Sequence, residues 1–190
     1  MKKKRILALF LAAVSCLSLA VSASAANTVN CKATDFRDYD RTAWYAEAVS
    51  AAVDNGLLYG KSANVLDPNG DMTRAEMAAI INRSFGCYKT ADISQYKDVS
   101  KSKWYYKDVA LAVQMGTYNG RSSSSMAPDA PISRQEAMTV VARALELDYD
   151  AYAKTDLSAF SDRDKISASS LPYVPSMVSS GYIHCRGKIL

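Results

Sequence analysis

A block of about sixty residues occurs twice in this chain of 190 residues and begins a third time. The tetrapeptide Thr-Arg-Ala-Glu at residues 73–76 returns as Ser-Arg-Gln-Glu at residues 133–136. Such a period indicates a supersecondary unit whose core forms only when neighbouring copies stack. The other landmarks keep the same offset without a gap, and they are the pairs Asp38 and Asp98, Trp44 and Trp104, Gly56 and Gly116, Gly60 and Gly120, Pro68 and Pro128, and Arg83 and Arg143.

The amino-terminal segment, residues 1–25, has the pattern of a secretory signal peptide. Basic residues precede an apolar run and an Ala-Ser-Ala sequence, which is typical of a signal and its cleavage site. The apolar run is shorter than the about 20 residues that a membrane-spanning helix needs. We therefore expect a secreted protein whose mature chain has no membrane span. Residues 26–34 are predicted to be a linker.

Charge and reactive residues exclude several function classes. Loss of residues 1–25 would remove four basic residues and no acidic ones, which leaves as many basic residues as the 19 acidic ones. A neutral secreted chain is not expected to bind nucleic acid. Cys31, Cys87 and Cys185 would remain, and they are compatible with one disulfide or with three free thiols. Because His184 is the only histidine, we predict no metal site, and because no nucleophile has a neighbouring base in a recognisable pattern, we predict no catalytic centre. We expect no cofactor.

Each full repeat is predicted to be a helix, a loop and a second helix. In the first copy, residues 44–55 carry Val49, Ala52 and Val53 on one stripe at helical spacing, and Gly56 ends the helix. The second copy and the incomplete third have equivalent stripes. We therefore predict an all-α protein in which three such helices form a bundle about a pseudo-threefold axis. The expected boundaries are residues 35–87 for repeat one, 95–147 for repeat two and 159–190 for a partial repeat three.

The second helix begins with a capping box in both full copies. Thr73 is followed three residues later by Glu76, and this spacing satisfies two backbone amides at a helix start. Ser133 and Glu136 repeat the pattern. The cap does not explain the arginine that follows the threonine or serine, because the helix dipole disfavours a cation in the first turn.

These motifs resemble the S-layer homology repeat. The family pattern is Phe-x-Asp, an aromatic residue before the first helix, Gly-x-x-x-Gly, a proline, and Ile-Thr-Arg-Ala-Glu. In the third copy Ser169 replaces the aromatic residue, Cys185 replaces the second glycine, and no third arginine appears. The corresponding residues are 36–38, 44, 56–60, 68 and 72–76 in repeat one, and 96–98, 104, 116–120, 128 and 132–136 in repeat two.

The resemblance implies a non-catalytic module that attaches a secreted protein to the cell wall or S-layer of a bacterium. Family members bind secondary cell-wall polysaccharide, often pyruvylated and hence anionic, in grooves between neighbouring repeats. The motif arginines, Arg74 and Arg134, are therefore the expected anion contacts. A guanidinium pairs bidentately with a carboxylate, and the free amides of a helix start favour an anion at the same place. We expect at most two competent grooves.

Other residue types recur where a sugar ligand would need them. A tryptophan offers a flat apolar face to a sugar ring, although at a helix start it is also a common core residue. An aspartate suits ligand binding or a turn, and a glycine suits close backbone approach or a turn with positive φ. The further candidates for ligand binding are Trp44, Trp104, Asp38, Asp98, Gly60 and Gly120.

Two other functions fit the sequence. The chain is compatible with a targeting segment of a secreted wall-associated enzyme whose catalytic domain lies outside it. It is also compatible with a protein–protein assembly module, in which self-association or another chain completes the third repeat. The sequence does not identify the glycan.

Overall fold

The computed structural model describes residues 31–148 and 155–183, together with residues 188 and 190. The signal peptide predicted for residues 1–25 lies outside the described residues, as do residues 26–30, His184 and Cys185. Within the described part, the structure contains helices and turns and no strand, so the prediction of an all-α protein is confirmed. The helices are α1 (Ala46–Asp54), α2 (Arg74–Phe85), α3 (Tyr106–Gln114), α4 (Arg134–Ala144) and α5 (Val174–Ser179), with short 3-10 turns at Ala33–Asp35 and Arg163–Lys165.

The helices follow the order expected from the repeats. Helices α1 and α2 belong to repeat one, α3 and α4 to repeat two, and α5 to the segment predicted as a partial repeat three. The first helix of each unit begins after its tryptophan or the equivalent residue and is followed by a glycine in the left-handed region. None of the helices in the described ranges is both long and apolar enough to cross a membrane.

Packing runs from the second helix of one repeat to the first helix of the next. Helix α2 contacts α3, α4 contacts α5, and α2 also contacts α4. The expected bundle of the three first helices is corrected by this arrangement, because α1, α3 and α5 do not contact one another in the described ranges. The alanine and valine stripe of α3 instead belongs to the cluster that α3 shares with α2, since Val109 and Ala112 are buried in it together with Ala78 and Ile81.

Each repeat has its own apolar cluster, and the three clusters differ in what covers them. The cluster of repeat two includes side chains of α2, and the cluster around α5 includes Met138 and Ala142 of α4. The cluster of repeat one is smaller and contains no residue of another repeat. Ala33 belongs to it and is 1% exposed, so the packed chain includes the end of the segment that was expected to be a linker.

Candidate functional site

In the part of the chain that the structure describes, a groove lies at each of the two junctions between repeats. Groove 1 has a cavity volume of about 450 Å³ and groove 2 of about 580 Å³, within the range of small-ligand sites. Each is lined by one face of a second helix at spacing i, i+3, i+4 and i+7. This face consists of Glu76, Ala79, Ile80 and Arg83 in groove 1 and of Glu136, Thr139, Val140 and Arg143 in groove 2.

The opposite wall comes from the loop between the two helices of a repeat and from the following repeat. Tyr59, Gly60 and Lys61 line groove 1, and Trp104 of repeat two closes it. In groove 2, Ser169 takes the place of the tryptophan, as the alignment of the third copy indicates. Groove 1 therefore has a broad apolar surface for a sugar ring, whereas groove 2 is more polar.

The tryptophans lie outside the core. Trp104 is 61% exposed and borders groove 1, whereas Trp44 is 94% exposed and lines neither groove. The core aromatic residue is the neighbouring Tyr105, which is 1% exposed and donates a hydrogen bond from its hydroxyl to Asp129 Oδ2 at 2.8 Å. The alternative that the tryptophans are core residues is therefore corrected.

An arginine is held over a tyrosine ring in each groove. The guanidinium carbon of Arg83 lies 4.3 Å from the centre of the Tyr59 ring, and Nη1 donates to the carbonyl of Leu57 at 3.0 Å. Arg143 lies 4.8 Å from the centre of the Tyr173 ring, with its Nη1 3.5 Å from the carbonyl oxygen of residue 117. Stacking and one hydrogen bond fix the plane of each guanidinium, so its other donors point in defined directions.

A second cation in each groove pairs with the glutamate of the capping box. Lys61 Nζ lies 2.7 Å from both carboxylate oxygens of Glu76, and Arg121 Nη2 lies 3.3 Å from those of Glu136. Partial burial raises the pKa of Glu76, but hydrogen bonds from Lys61 and Thr73 together with the charge of Lys61 outweigh burial and lower it. Both capping boxes are present, with the side-chain oxygens of the threonine and serine accepting from the backbone amides of the glutamates.

Arg74 is buried in the junction rather than presented at the mouth of a groove. It is 5% exposed, and its Nε, Nη2 and Nη1 groups donate to the carbonyls of Met126 and Asn119 and to Glu136 Oε1 at 3.0, 3.1 and 3.1 Å. Its guanidinium carbon also lies 5.2 Å from the centre of the Tyr118 ring. The arginine that the resemblance assigns to an anion thus donates its side-chain hydrogen bonds to repeat two, and it forms part of the wall of groove 2.

Arg134 has the equivalent position at the start of α4 and is exposed. It is not among the residues that line either groove. The two motif arginines therefore differ in burial although their sequence contexts are nearly the same. Because Arg74 is buried and Arg134 is exposed, we expect the two arginines to have different roles.

The two candidate aspartates tie the start of each repeat to its own loop. Asp38 accepts hydrogen bonds from the amides of residues 66 and 67 at 2.8 and 2.7 Å, and these bonds lower the pKa of its carboxyl. Asp98 accepts from the amides of residues 126 and 127 and from the Ser125 hydroxyl. Asp162 repeats the arrangement, since the amide of Leu190 donates to it at 2.9 Å over the same separation of 28 residues.

The two candidate glycines are required by a ring that lies against them. A Cβ at Gly60 would approach the Phe36 ring to 2.5 Å, and one at Gly120 would overlap the Tyr96 ring. Gly60 also has a φ of +75°, whereas Gly120 is not in the left-handed region. The expectation of a positive-φ turn therefore holds for the first glycine and is corrected for the second.

Sequence reasoning missed four cations that line the grooves, namely Lys61, Arg83, Arg121 and Arg143. The sequence does contain a pattern that indicates the two cations on the second helices. Arg83 and Arg143 share the sixty-residue offset and follow the capping glutamate by seven residues, which puts them on the same helix face. The two cations in the loops, Lys61 and Arg121, directly follow Gly60 and Gly120.

The two grooves differ in charge. Groove 2 is lined by Arg74, Arg121 and Arg143 against the single carboxylate of Glu136. Groove 1 is lined by two cations against three carboxylates, one each from Asp67, Asp71 and Glu76. An anionic ligand is therefore favoured electrostatically in groove 2. Over the part of the chain that the structure describes, no cluster of three His, Cys, Asp or Glu side chains is suited to a metal ion.

Known proteins share these repeats. The model of the S-layer homology domain matches residues 35–78 and 95–138. The chain is 35% identical over 126 residues to the surface-layer 125 kDa protein of Lysinibacillus sphaericus, a match that covers 64% of this chain and 11% of that protein. It is 27% identical to an endoglucanase of Bacillus sp. over 88% of this chain and 17% of the enzyme.

A third relative is the amylopullulanase of Thermoanaerobacterium thermosulfurigenes, with 34% identity over 59% of this chain and 6% of the enzyme. The chain thus spans less than a fifth of the length of these relatives. The domain match and the surface-protein relatives point to the cell wall or S-layer. The chain thus carries two S-layer homology segments, residues 35–78 and 95–138.

Proposed function

We propose that the chain attaches to the bacterial cell wall by binding anionic secondary cell-wall polysaccharide in grooves 1 and 2. The observation that carries this proposal is the repeated helix face, on which a glutamate and an arginine seven residues apart line an inter-repeat groove twice. A groove that recurs with the repeat suits a polymer that presents the same sugar unit many times.

The geometry suggests different tasks for the two grooves. In groove 2, the exposed Arg121 and the half-buried Arg143 would bind a carboxylate, such as that of a pyruvylated sugar, while the buried Arg74 adds positive charge to the wall. In groove 1, Trp104 would stack on a sugar ring beside Lys61.

The remaining candidates have supporting tasks in this proposal. Gly60 and Gly120 let an aromatic ring shape the groove wall, and Asp38 and Asp98 hold the loops that carry this wall. Arg134 stays a proposed contact for the anionic polymer outside the grooves.

Co-sedimentation with purified wall sacculi tests the function. We expect the chain to pellet with intact sacculi and to stay in solution when acid has stripped the polysaccharide from the peptidoglycan. The double variant Arg121→Ala with Arg143→Ala should bind at least tenfold more weakly, which corresponds to about 1.4 kcal/mol or more. Trp104→Ala should weaken binding by a smaller factor, because it affects only groove 1.

The matched control removes two charges elsewhere. Arg41 and Lys107 are exposed and line neither groove, so Arg41→Ala with Lys107→Ala should bind as the unaltered chain does. Equal binding of the groove variant and this control would refute the assignment of the anion site to groove 2. Equal binding to stripped and intact sacculi would refute the polysaccharide as the ligand.

A second candidate function is the targeting segment of a longer wall-associated enzyme. Two of the relatives carry enzyme names, and this chain matches only 17% and 6% of their lengths. The mass of the native secreted protein, measured by mass spectrometry from the producing cells, tests this role. A mass equal to that of the processed chain would contradict it.

A further inference from the structure

The junction between repeats one and two shows how the start of one second helix docks on the following repeat. Residues 72–75 lie antiparallel to residues 128–132 and exchange three backbone hydrogen bonds with them. These bonds join Arg74 N to Ala130 O at 3.0 Å, Ala75 N to Pro128 O at 2.9 Å and Ile132 N to Met72 O at 2.9 Å.

The side chain of Arg74 makes further contacts between residues 72–75 and repeat two. Arg74 extends into repeat two, where Asn119, Met126 and Glu136 accept its three side-chain hydrogen bonds. We call the receiving surface the seat of a repeat. It comprises residues 119, 126, 128–132 and 136 in repeat two, and the residues sixty positions earlier, 59, 66, 68–72 and 76, in repeat one.

The seat of repeat one is open. Within the described ranges, no group donates to the carbonyl oxygens of Tyr59, Leu66, Pro68 or Gly70. Pro68 is half-buried, whereas its counterpart in repeat two is buried. The same backbone acceptors that hold Arg74 and its neighbours in repeat two are therefore available in repeat one.

Helix α1, which belongs to the same repeat as this seat, also lacks, among the described residues, the helix that would pack against it. Helix α3 packs against α2, but α1 contacts no other α-helix of the described chain. Ala51 on α1 is exposed, whereas its counterpart Leu111 on α3 is 5% exposed. Val49 is half-buried, whereas its counterpart Val109 is 2% exposed. A helix placed on α1 as α2 is placed on α3 would cover this face.

The charge of the seat favours an arginine. Asp71 and Glu76 lie in it and Asp67 lies beside it, whereas the seat of repeat two contains Asp129 and Glu136. Together with Asp67, the seat of repeat one thus has one carboxylate more than the seat that already holds Arg74. Opposite charge at an interface favours encounter and fixes the register of the partners.

We propose that the seat of repeat one binds the start of a helix with the sequence Ser/Thr-Arg-x-Glu, supplied by another S-layer homology polypeptide. The internal junction defines this occupant, because the same kind of segment fills the equivalent seat of repeat two. In a second copy of this chain, residues 72–75 already occupy a seat, so only its segment Ser133-Arg134-Gln135-Glu136 could be the occupant. Tyr59, Pro68 and Glu76 of this seat also line groove 1, so the occupant would form part of the wall of groove 1, as Arg74 does in groove 2.

A peptide of residues 70–86 of this chain is the probe. It has no net charge, because its two arginines balance one aspartate and one glutamate. Binding of the fluorescently labelled peptide to the full chain is measured by anisotropy without glycan present. We expect saturable binding below 1 mM, which corresponds to about −4 kcal/mol, and at least tenfold weaker binding for the peptide with Arg74→Ala.

Two variants of the full chain locate the binding. Ala51→Arg places a long side chain on the uncovered face of α1, at a position that is exposed and therefore tolerant, and should weaken peptide binding at least tenfold. Glu47→Arg places the same side chain at a position that is exposed in both repeats, since its counterpart is Lys107, and should leave binding unchanged.

Three results would overturn the proposal. They are no saturable binding up to 1 mM, equal binding of the Ala51→Arg and Glu47→Arg variants, and equal binding of the two peptides. Light scattering adds a fourth: if the full chain forms a dimer that Ala51→Arg abolishes, a second copy occupies the seat. Peptide binding is measured without glycan and co-sedimentation is measured without peptide, so failure of one proposal is distinguishable from failure of the other.

Discussion

Arg74 links two repeats through a single guanidinium. A lysine at this position could not reach two carbonyl groups and a carboxylate at once, because its ammonium is a point charge on a flexible stem. Burial lowers the pKa of Arg74, and the charge of Glu136 opposes this effect. The arginine is thus explained by the junction, where its planar fork matches three acceptors that come from three parts of repeat two.

Replacement of Arg74 should destabilise the fold. Removal of one partner of a buried charged pair costs 3–5 kcal/mol, but Glu136 keeps Arg121, so we expect a loss of about 2–3 kcal/mol for Arg74→Ala. Arg74→Lys should lose about half as much, since the charge remains while the fork is lost. Urea denaturation followed by circular dichroism measures both values.

Arg41→Ala is the control for this measurement, because Arg41 is exposed and distant in sequence from the junction residues. Its stability should match that of the unaltered chain within about 0.5 kcal/mol. If Arg74→Ala were as stable as this control, the network around the guanidinium would have no energetic importance.

At the scale of the helix, one residue serves two purposes. Glu136 closes the capping box of α4 through the Ser133 amide, and its carboxylate also lies in groove 2 beside Arg121. Burial raises the pKa of Glu136, but hydrogen bonds from Ser133 and the charges of Arg121 and Arg74 lower it further than burial raises it. The cap therefore fixes the position of a charge that belongs to the groove.

The cap of α4 should be measurable by substitution. Ser133→Ala removes the oxygen that accepts from the amide of Glu136 and should cost about 1 kcal/mol, whereas Ser133→Gly should cost only a few tenths. Denaturant titration at neutral pH measures both. Ser123→Ala, in the exposed loop of the same repeat, should have no effect; a cost equal to that of Ser133→Ala would contradict the capping role.

Local features of the helices were predictable from the sequence, but their partners were not. The capping boxes and the glycines that follow α1 and α3 depend on residues within one turn, so spacing alone indicates them. The stripe of Val49, Ala52 and Val53 shows that one face packs, yet it is equally compatible with a bundle of first helices and with packing on a second helix. Narrow stripes of small residues do not specify which helix lies opposite.

The candidate site was harder to predict because its geometry depends on contacts between residues that are far apart in the sequence. The burial of Arg74 depends on acceptors 45 to 62 residues further along the chain. No local pattern encodes such distant contacts. By contrast, the exposure of Trp104 follows from Tyr105 taking the core position, and the sequence offers both aromatic residues for it.

At the scale of the whole molecule, the described repeats differ in how well they are covered. The cluster of repeat two is the largest and includes residues of α2, α3 and α4. The cluster of repeat one includes no residue of a neighbouring repeat. In stacked repeats, stability is the sum of what each unit contributes and what each interface adds. Repeat one lacks one of these interfaces among the described residues.

Hydrogen exchange of the backbone amides should show that the repeats differ in local stability. We expect the amides of α1 to exchange fastest and those of α3 slowest, because α3 is covered by α2 and α1 by no other described α-helix. Mass spectrometry of peptides from the native chain at neutral pH measures the rates. Equal protection of α1 and α3 would contradict the inference that coverage by the preceding repeat stabilises the first helix.

Trp104 closes a groove whose other walls belong to repeat one, and Ser167, Ser169 and Ser170 border a groove that repeat two provides. A lone copy of the unit would therefore have an incomplete groove. Gene duplication that lengthens such an array adds one complete cleft with every new boundary, so the number of clefts grows in step with the number of interfaces. Selection for adhesion and selection for folding would then act on the same event.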